Sequence, residues 1–129
     1  MAGIFSKIVA GEIPCYKVAE DEKYFAFLDA FPVVKGHTLV IPKKETDKLF
    51  ELPPQEYSEL MNFTYKIAQA VEKAIPCLRV GVAVQGLEIP HVHVHLIPLN
   101  SLEDMQFAHK LTLTPEEFTE IADRIKSYL

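Results

Sequence analysis

The 129 residues are 49% apolar and 24% charged, a balance that excludes a fibre or a disordered tail and predicts one globular domain over residues 1–129. A chain of this length buries roughly two-thirds of the surface it exposes when unfolded, so it needs neither a disulfide nor a structural metal in order to fold. A formal net charge of −5 argues against long nucleic acid, whose binding relies on many Lys and Arg, yet a few N–H groups and imidazoles can still hold one small anion.

Cys15 and Cys77 stand far apart with no Cys-x-x-Cys grouping, and the opening Met1-Ala2-Gly3-Ile4-Phe5 is no apolar signal segment. Buried, reduced thiols and cytoplasmic residence are the expectation. No apolar run approaches the eighteen or so residues needed to cross a bilayer, so no membrane association is expected.

In chain order, Tyr16 to Ala19 and Tyr24 to Leu28 read as two strands of a hairpin, with the acidic Glu20-Asp21-Glu22 at the turn. His37 to Pro42 reads as a third strand, β-branched, entered through Gly36 and closed by Pro42. From Pro54 to Ile75 the period changes: Tyr57, Leu60, Met61, Thr64, Ile67, Ala68, Val71, Ala74 and Ile75 recur at three and four residues and line one helical face. Pro53 and Pro54 mark its start and Pro76 its stop. Arg79 to Gln85 and His91 to Pro98 read as antiparallel strands joined by a tight Gly86 to Pro90 connection. Thr114-Pro115-Glu116-Glu117 is a capping box that opens a terminal helix with Phe118, Ile121, Ala122 and Ile125 on one face. The sum is an α+β fold: a five-stranded, mainly antiparallel sheet with one long helix and a C-terminal helix.

The segment with chemical content is Pro90-His91-Val92-His93-Val94-His95-Leu96-Ile97-Pro98. With a strand period of two, His91, His93 and His95 share one face and Val92, Val94 and Leu96 the other. Aliphatic side chains gain from burial; three imidazoles in a row have no comparable packing value. A metal site is one reading, although the backbones of His91 and His95 lie roughly 13 Å apart in a strand, near the limit for two rings on one ion. Phosphate chemistry is the other. Imidazole is largely neutral at pH near 7, so its nitrogen is a nucleophile without an auxiliary base, and flanking imidazoles can bond phosphate oxygens or protonate a departing group.

The run His91 to Ile97 fits His-φ-His-φ-His-φ-φ, with φ apolar, and so resembles the histidine-triad (HIT) family. Ile4 to Pro14 is similar to that family's N-terminal segment, and Gly36 to Lys44 to its central strand. The resemblance implies a nucleotide hydrolase or phosphoramidase with no cofactor, acting on a purine nucleotide derivative of AMP or GMP. It implies that His93 attacks the α-phosphate to form a nucleotidyl-histidine, that His95 and His37 contact phosphate, and that His91 orients the nucleophile through its backbone carbonyl. Asp29 then corresponds to the acceptor for the ribose hydroxyls, Phe5 and Ile8 to the base pocket, and Gln85 to an amide that reaches phosphate. Each has a plainer reading: Phe5 and Ile8 as core, Asp29 as a turn residue before Phe31-Pro32, His37 as a strand start, Gln85 as a solvated strand end. His109 reads as surface. A homodimer is also implied, with the Pro54–Ile75 helix as a candidate interface.

The chain departs from the family's pattern in three places, one of them a connection from Gln85 to His91 that is shorter than in the better-known branches. Where many members carry two cysteines and a histidine that bind zinc, it has Gly3, Ser6 and Glu45, so no metal is expected. Where a Ser or Thr precedes the first histidine by three residues it has Glu88, whose charge would repel phosphate if it pointed inward. A nucleotide-binding regulatory module with little turnover is therefore the alternative function, and a histidine-ligated metal protein a third.

Overall fold

The computed structural model describes residues 3–129; Met1 and Ala2, part of the opening stretch without a signal pattern, lie outside the described residues. The strands are β1 (Lys17–Glu20), β2 (Tyr24–Leu28), β3 (Thr38–Pro42), β4 (Arg79–Ala83) and β5 (Val94–Leu99), and the helices α1 (Ile4–Val9), α2 (Pro54–Ala74) and α3 (Pro115–Lys126). They form one sheet in the order β1-β2-β3-β5-β4, every neighbouring pair antiparallel. This is the α+β architecture that the sequence predicts.

The first hairpin turns at Asp21, whose Oδ1 accepts from the backbone N–H of Lys23 and Tyr24. Asp side chains favour such turns because they satisfy N–H groups that the ladder leaves free. All five residues of β2 are buried, as are all five of β3, because helices cover both faces of the sheet centre. On one face Tyr24, Ala26, Leu28, Val40, Val94 and Leu96 pack with α2 and α3 into the larger core. On the other, Phe25, Phe27, Leu39 and Ile41 meet Phe5 and Ile8 of α1.

Helix α2 starts with Pro54 in its first turn and buries Leu60, Thr64, Ile67, Ala70, Val71 and Ala74. Tyr57, Met61 and Ala68 of the expected face are only half-buried, so the buried stripe is narrower than the periodicity suggests. The capping box of α3 is formed: Thr114 Oγ1 accepts from Glu117 N at 3.1 Å, and Glu117 Oε1 from Thr114 N at 3.0 Å. No helix is long and apolar enough to cross a membrane, among the described residues.

Three expectations are corrected. The histidine strand begins at Val94, not His91, and β4 ends at Ala83, so residues 84–93 form a longer connection than the tight one expected. Pro42 explains part of this: the β3–β5 ladder stops after Val40↔Val94, and Pro42 has no N–H to extend it. The N–H of Val92 bonds instead to Thr46 O at 2.8 Å, outside the sheet. Helix α1 is not foreseen, since its six residues carry no side-chain cap and owe their shape to burial of Phe5 and Ile8, three positions apart. Cys15 and Cys77 are half-buried and free; burial is the main cause that raises both thiols above their ordinary pKa, which keeps them protonated and poor nucleophiles.

Candidate active site

Although the ladder opens only at Val94, side chains alternate from residue 91 onward. Val92, Val94 and Leu96 enter the larger core. His93 and His95 project to the α1 face, their ring centroids 4.9 Å apart, and the ring of Phe5 stands edge-on to both His91 (5.5 Å) and His93 (5.1 Å). His37, one residue before β3, reaches the same cluster: its Nε2 lies 2.9 Å from His95 Nδ1.

Backbone partners fix the tautomers of His37, His91 and His93, and His37 in turn fixes that of His95. Val33 N–H donates to His37 Nδ1 at 3.1 Å, so the proton of neutral His37 must sit on Nε2. That N–H then donates to His95 Nδ1, which leaves the proton of His95 on its own Nε2. His93 Nδ1 donates to His91 O at 2.7 Å, which leaves the His93 Nε2 lone pair free. His91 Nε2 donates to Pro42 O at 2.7 Å, and its buried Nδ1 has no partner among the described residues. The cluster thus pairs one ring with a bare nitrogen, His93, and one with an outward N–H, His95.

Burial shifts three of the rings, His37, His95 and His91, toward the neutral form. Burial, reinforced by the neighbouring charges of His95, Lys110 and His93, lowers the His37 pKa from 6.5 to about 3. Burial, then His93 and Lys110, lowers His95 to about 4. Burial also lowers His91, against the opposing effects of its bond to Pro42 O and of Glu45.

These groups open onto a cavity of about 420 Å³. Phe5, Ile8, Phe27 and Leu39 form its apolar wall, and Asp29, Gln85, Glu88, His93 and His95 reach it as polar groups. A larger trough of about 710 Å³ follows α3, but it is lined by exposed charged side chains and has no histidine. Asp29 serves the turn and the cavity together. Its Oδ1 accepts from Phe31 N at 2.9 Å, its Oδ2 lies 3.5 Å from His37 Nε2, and burial raises its pKa above the ordinary 3.8.

Seven of the eight candidate residues, Phe5, Ile8, Asp29, Gln85, His37, His93 and His95, therefore line the cavity or touch a ring that does, and His91 stands behind them. Gln85 is exposed, at the rim. Sequence reasoning missed Phe107 and Lys110. Phe107 packs edge-on against His95 (4.9 Å) and His37 (6.2 Å), and Lys110 Nζ lies over the Phe107 ring at 5.3 Å. They belong to a connection between β5 and α3 with no hydrophobic period to announce it; His109, beside them, is exposed as expected.

Neither candidate metal set suits an ion. Ligand atoms of Asp29, His37 and His95 lie within 4.8 Å of one another. However, His37 Nε2 must carry a proton while Nδ1 accepts from Val33, so it has no lone pair to give. At the other place Glu45 Oε1 accepts from Gly3 N at 2.8 Å and from Ser6 Oγ at 2.7 Å. Two donors around one carboxylate, without a thiolate, do not make a zinc site; they make a clasp that ties α1 to the loop after β3.

With this geometry in place, comparison with known proteins defines the class: the chain belongs to the HIT family, whose domain model matches residues 10–102. Adenosine 5'-monophosphoramidase of Schizosaccharomyces pombe is 34% identical over 98% of this chain and 98% of its own. A HIT-like protein from Bartonella henselae, described as involved in cell-cycle regulation, superposes with a TM-score of 0.84 at 32% identity, covering 98% of this chain and 96% of its own. A Zn-bound histidine triad family protein from Mycobacterium smegmatis gives 0.82 at 26% identity, covering 99% and 93%.

Proposed function

We propose that this protein is a nucleotide phosphoramidase or hydrolase that transfers a nucleotidyl group from a purine nucleoside phosphoramidate or phosphoanhydride to His93, and then to water. The observation that carries this reading is the bond from His93 Nδ1–H to His91 O, which directs the proton away and keeps a lone pair on Nε2. In the first step Nε2 attacks the α-phosphorus and the bond to the leaving nitrogen or oxygen breaks, the leaving group taking its proton from solvent while the neutral His95 Nε2–H hydrogen-bonds a non-bridging phosphate oxygen. The imidazolium formed at His93 shares its Nδ1–H with the His91 carbonyl, a charge-assisted bond that strengthens as charge develops. Water then attacks the same phosphorus and gives its proton to solvent, and His93 departs as neutral imidazole with its proton still on Nδ1.

The rest of the cavity suits such a substrate. Phe5 and Ile8 offer an apolar slot for an adenine or guanine, Asp29 accepts from ribose hydroxyls, and the Gln85 amide reaches phosphate. The phosphoramidase activity in the name of the S. pombe relative supports the same chemistry. The deciding experiment mixes the protein with adenosine phosphoramidate without added metal, quenches in base, and looks by mass spectrometry for one adenylyl group on the peptide containing His93. Turnover that proceeds equally well in His93→Ala would reject the mechanism.

Glu88 favours a second reading, a nucleotide-binding module with little turnover, because its carboxylate lines the same cavity as the proposed phosphate site. Calorimetry showing tight AMP binding beside negligible hydrolysis would select it. We further propose a cytoplasmic homodimer. Strand β4 is an unpaired sheet edge that exposes Val82, and α2 beside it exposes Tyr65; sedimentation at micromolar concentration reads the mass.

A further inference from the structure

Charge balance in the cavity singles out one residue. Among the described residues, its polar lining comprises two carboxyl groups, Asp29 and Glu88, the Gln85 amide, the rings of His93 and His95, and a single ammonium, Lys110. His95 and its bonded neighbour His37 carry no positive charge near neutral pH, since burial holds both rings unprotonated. A phosphate anion entering such a site meets two carboxyl groups, and Lys110 is the lysine of the lining that can be set against them.

The backbone holds Lys110 at the cavity, beside the Phe107 ring that packs on His95. Leu111 N–H donates to Pro32 O at 2.7 Å, which fastens the post-triad connection onto the β2–β3 loop that also carries Asp29. Phe107 anchors the other side of this strap against His95 and His37, and its ring lies under the Lys110 ammonium. The charge of Lys110 is felt at Asp29, His37 and His95.

We infer that Lys110 is the cation that selects the phosphate of a bound nucleotide, a specificity residue supplied by the strap that follows the histidine triad. The inference rests on the nucleotide reading of the cavity. Lys110 adds charge beside a neutral His95, whose Nε2–H stays available as a hydrogen-bond donor to phosphate. Being exposed, it can meet the anion early and follow it inward.

The test measures binding of AMP and of adenosine by calorimetry to the wild type, Lys110→Gln and Lys110→Arg. Loss of the charge is expected to weaken AMP about tenfold, to leave adenosine within about twofold, and to blunt the salt dependence of AMP binding; Arg restores all three. Equal losses for AMP and adenosine would mean that Lys110 only shapes the strap, and an unchanged AMP affinity that it binds nothing; either overturns the inference and leaves the nucleotide reading standing. A wild type that binds neither ligand overturns both.

Discussion

Acid should weaken this fold through two rings that have no room for a proton. His37 and His95 are 1% and 7% exposed, and they stay neutral in the folded chain down to about pH 3 and about pH 4. In the unfolded chain each titrates near 6.5, so between that value and the folded one the unfolded state binds more protons. Stability is therefore fully present above pH 6.5 and is lost as pH falls below it. Linkage gives a loss of about 2 kcal/mol from His37 alone between about pH 7 and about pH 5, and His95 adds to it in the same direction. Against a total of about 5–15 kcal/mol for a domain, this is a large fraction, equivalent to a fall in Tm of roughly 10 °C. Glu20, Glu45, Glu59 and Glu117 are held below the ordinary carboxylate range, so their contributions are lost beneath this window and do not mimic the effect. Thermal melts at intermediate pH values measure it directly, and His37→Asn should show a shallower slope. A Tm that is flat across the window, or a slope unchanged in the variant, would refute the buried, neutral pair.

His93→Ala should lower kcat at least about a thousandfold while AMP still binds, because the nucleophile is removed and the walls of the cavity remain; a steady-state assay beside calorimetry separates the two. Glu88→Ser should raise kcat/KM for an adenosine phosphoramidate roughly threefold to tenfold by removing a negative charge from the lining, and a decrease would assign Glu88 a positive role toward the leaving group. Gly36→Ala should cost about 2 kcal/mol or more, read from the urea midpoint: Gly36 has φ +92°, and an added Cβ would meet Ile75 Cγ1 at 2.7 Å.

The strands, α2 and α3 were legible because each carries its signal locally: a β-branched run, a face repeating at three and four, a capping box at Thr114. The shared face of the three histidines followed from a period of two that persists where the ladder does not. What the sequence withheld depends on tertiary partners. Helix α1 exists because Phe5 and Ile8 find Phe27 and Leu39 across some twenty to thirty positions, and nothing within Ile4–Val9 favours a helix strongly. The register end at Val94 depends on Pro42 in another strand. Phe107 and Lys110 reach the cavity because a bond from Leu111 to Pro32 folds an irregular stretch over it, and no pattern of residue types encodes that path. His37 was identified by resemblance, while its role as the ring that sets the tautomer of His95 emerges only from Val33 N–H.

The Glu45 clasp also bears on where this protein can operate. A helix fastened by thiolates and an ion comes loose when a chelator strips the ion or an oxidant reaches the sulfur. One fastened by a carboxylate to an amide and a hydroxyl has neither weakness, so the Phe5 wall should keep its place through metal starvation and peroxide stress.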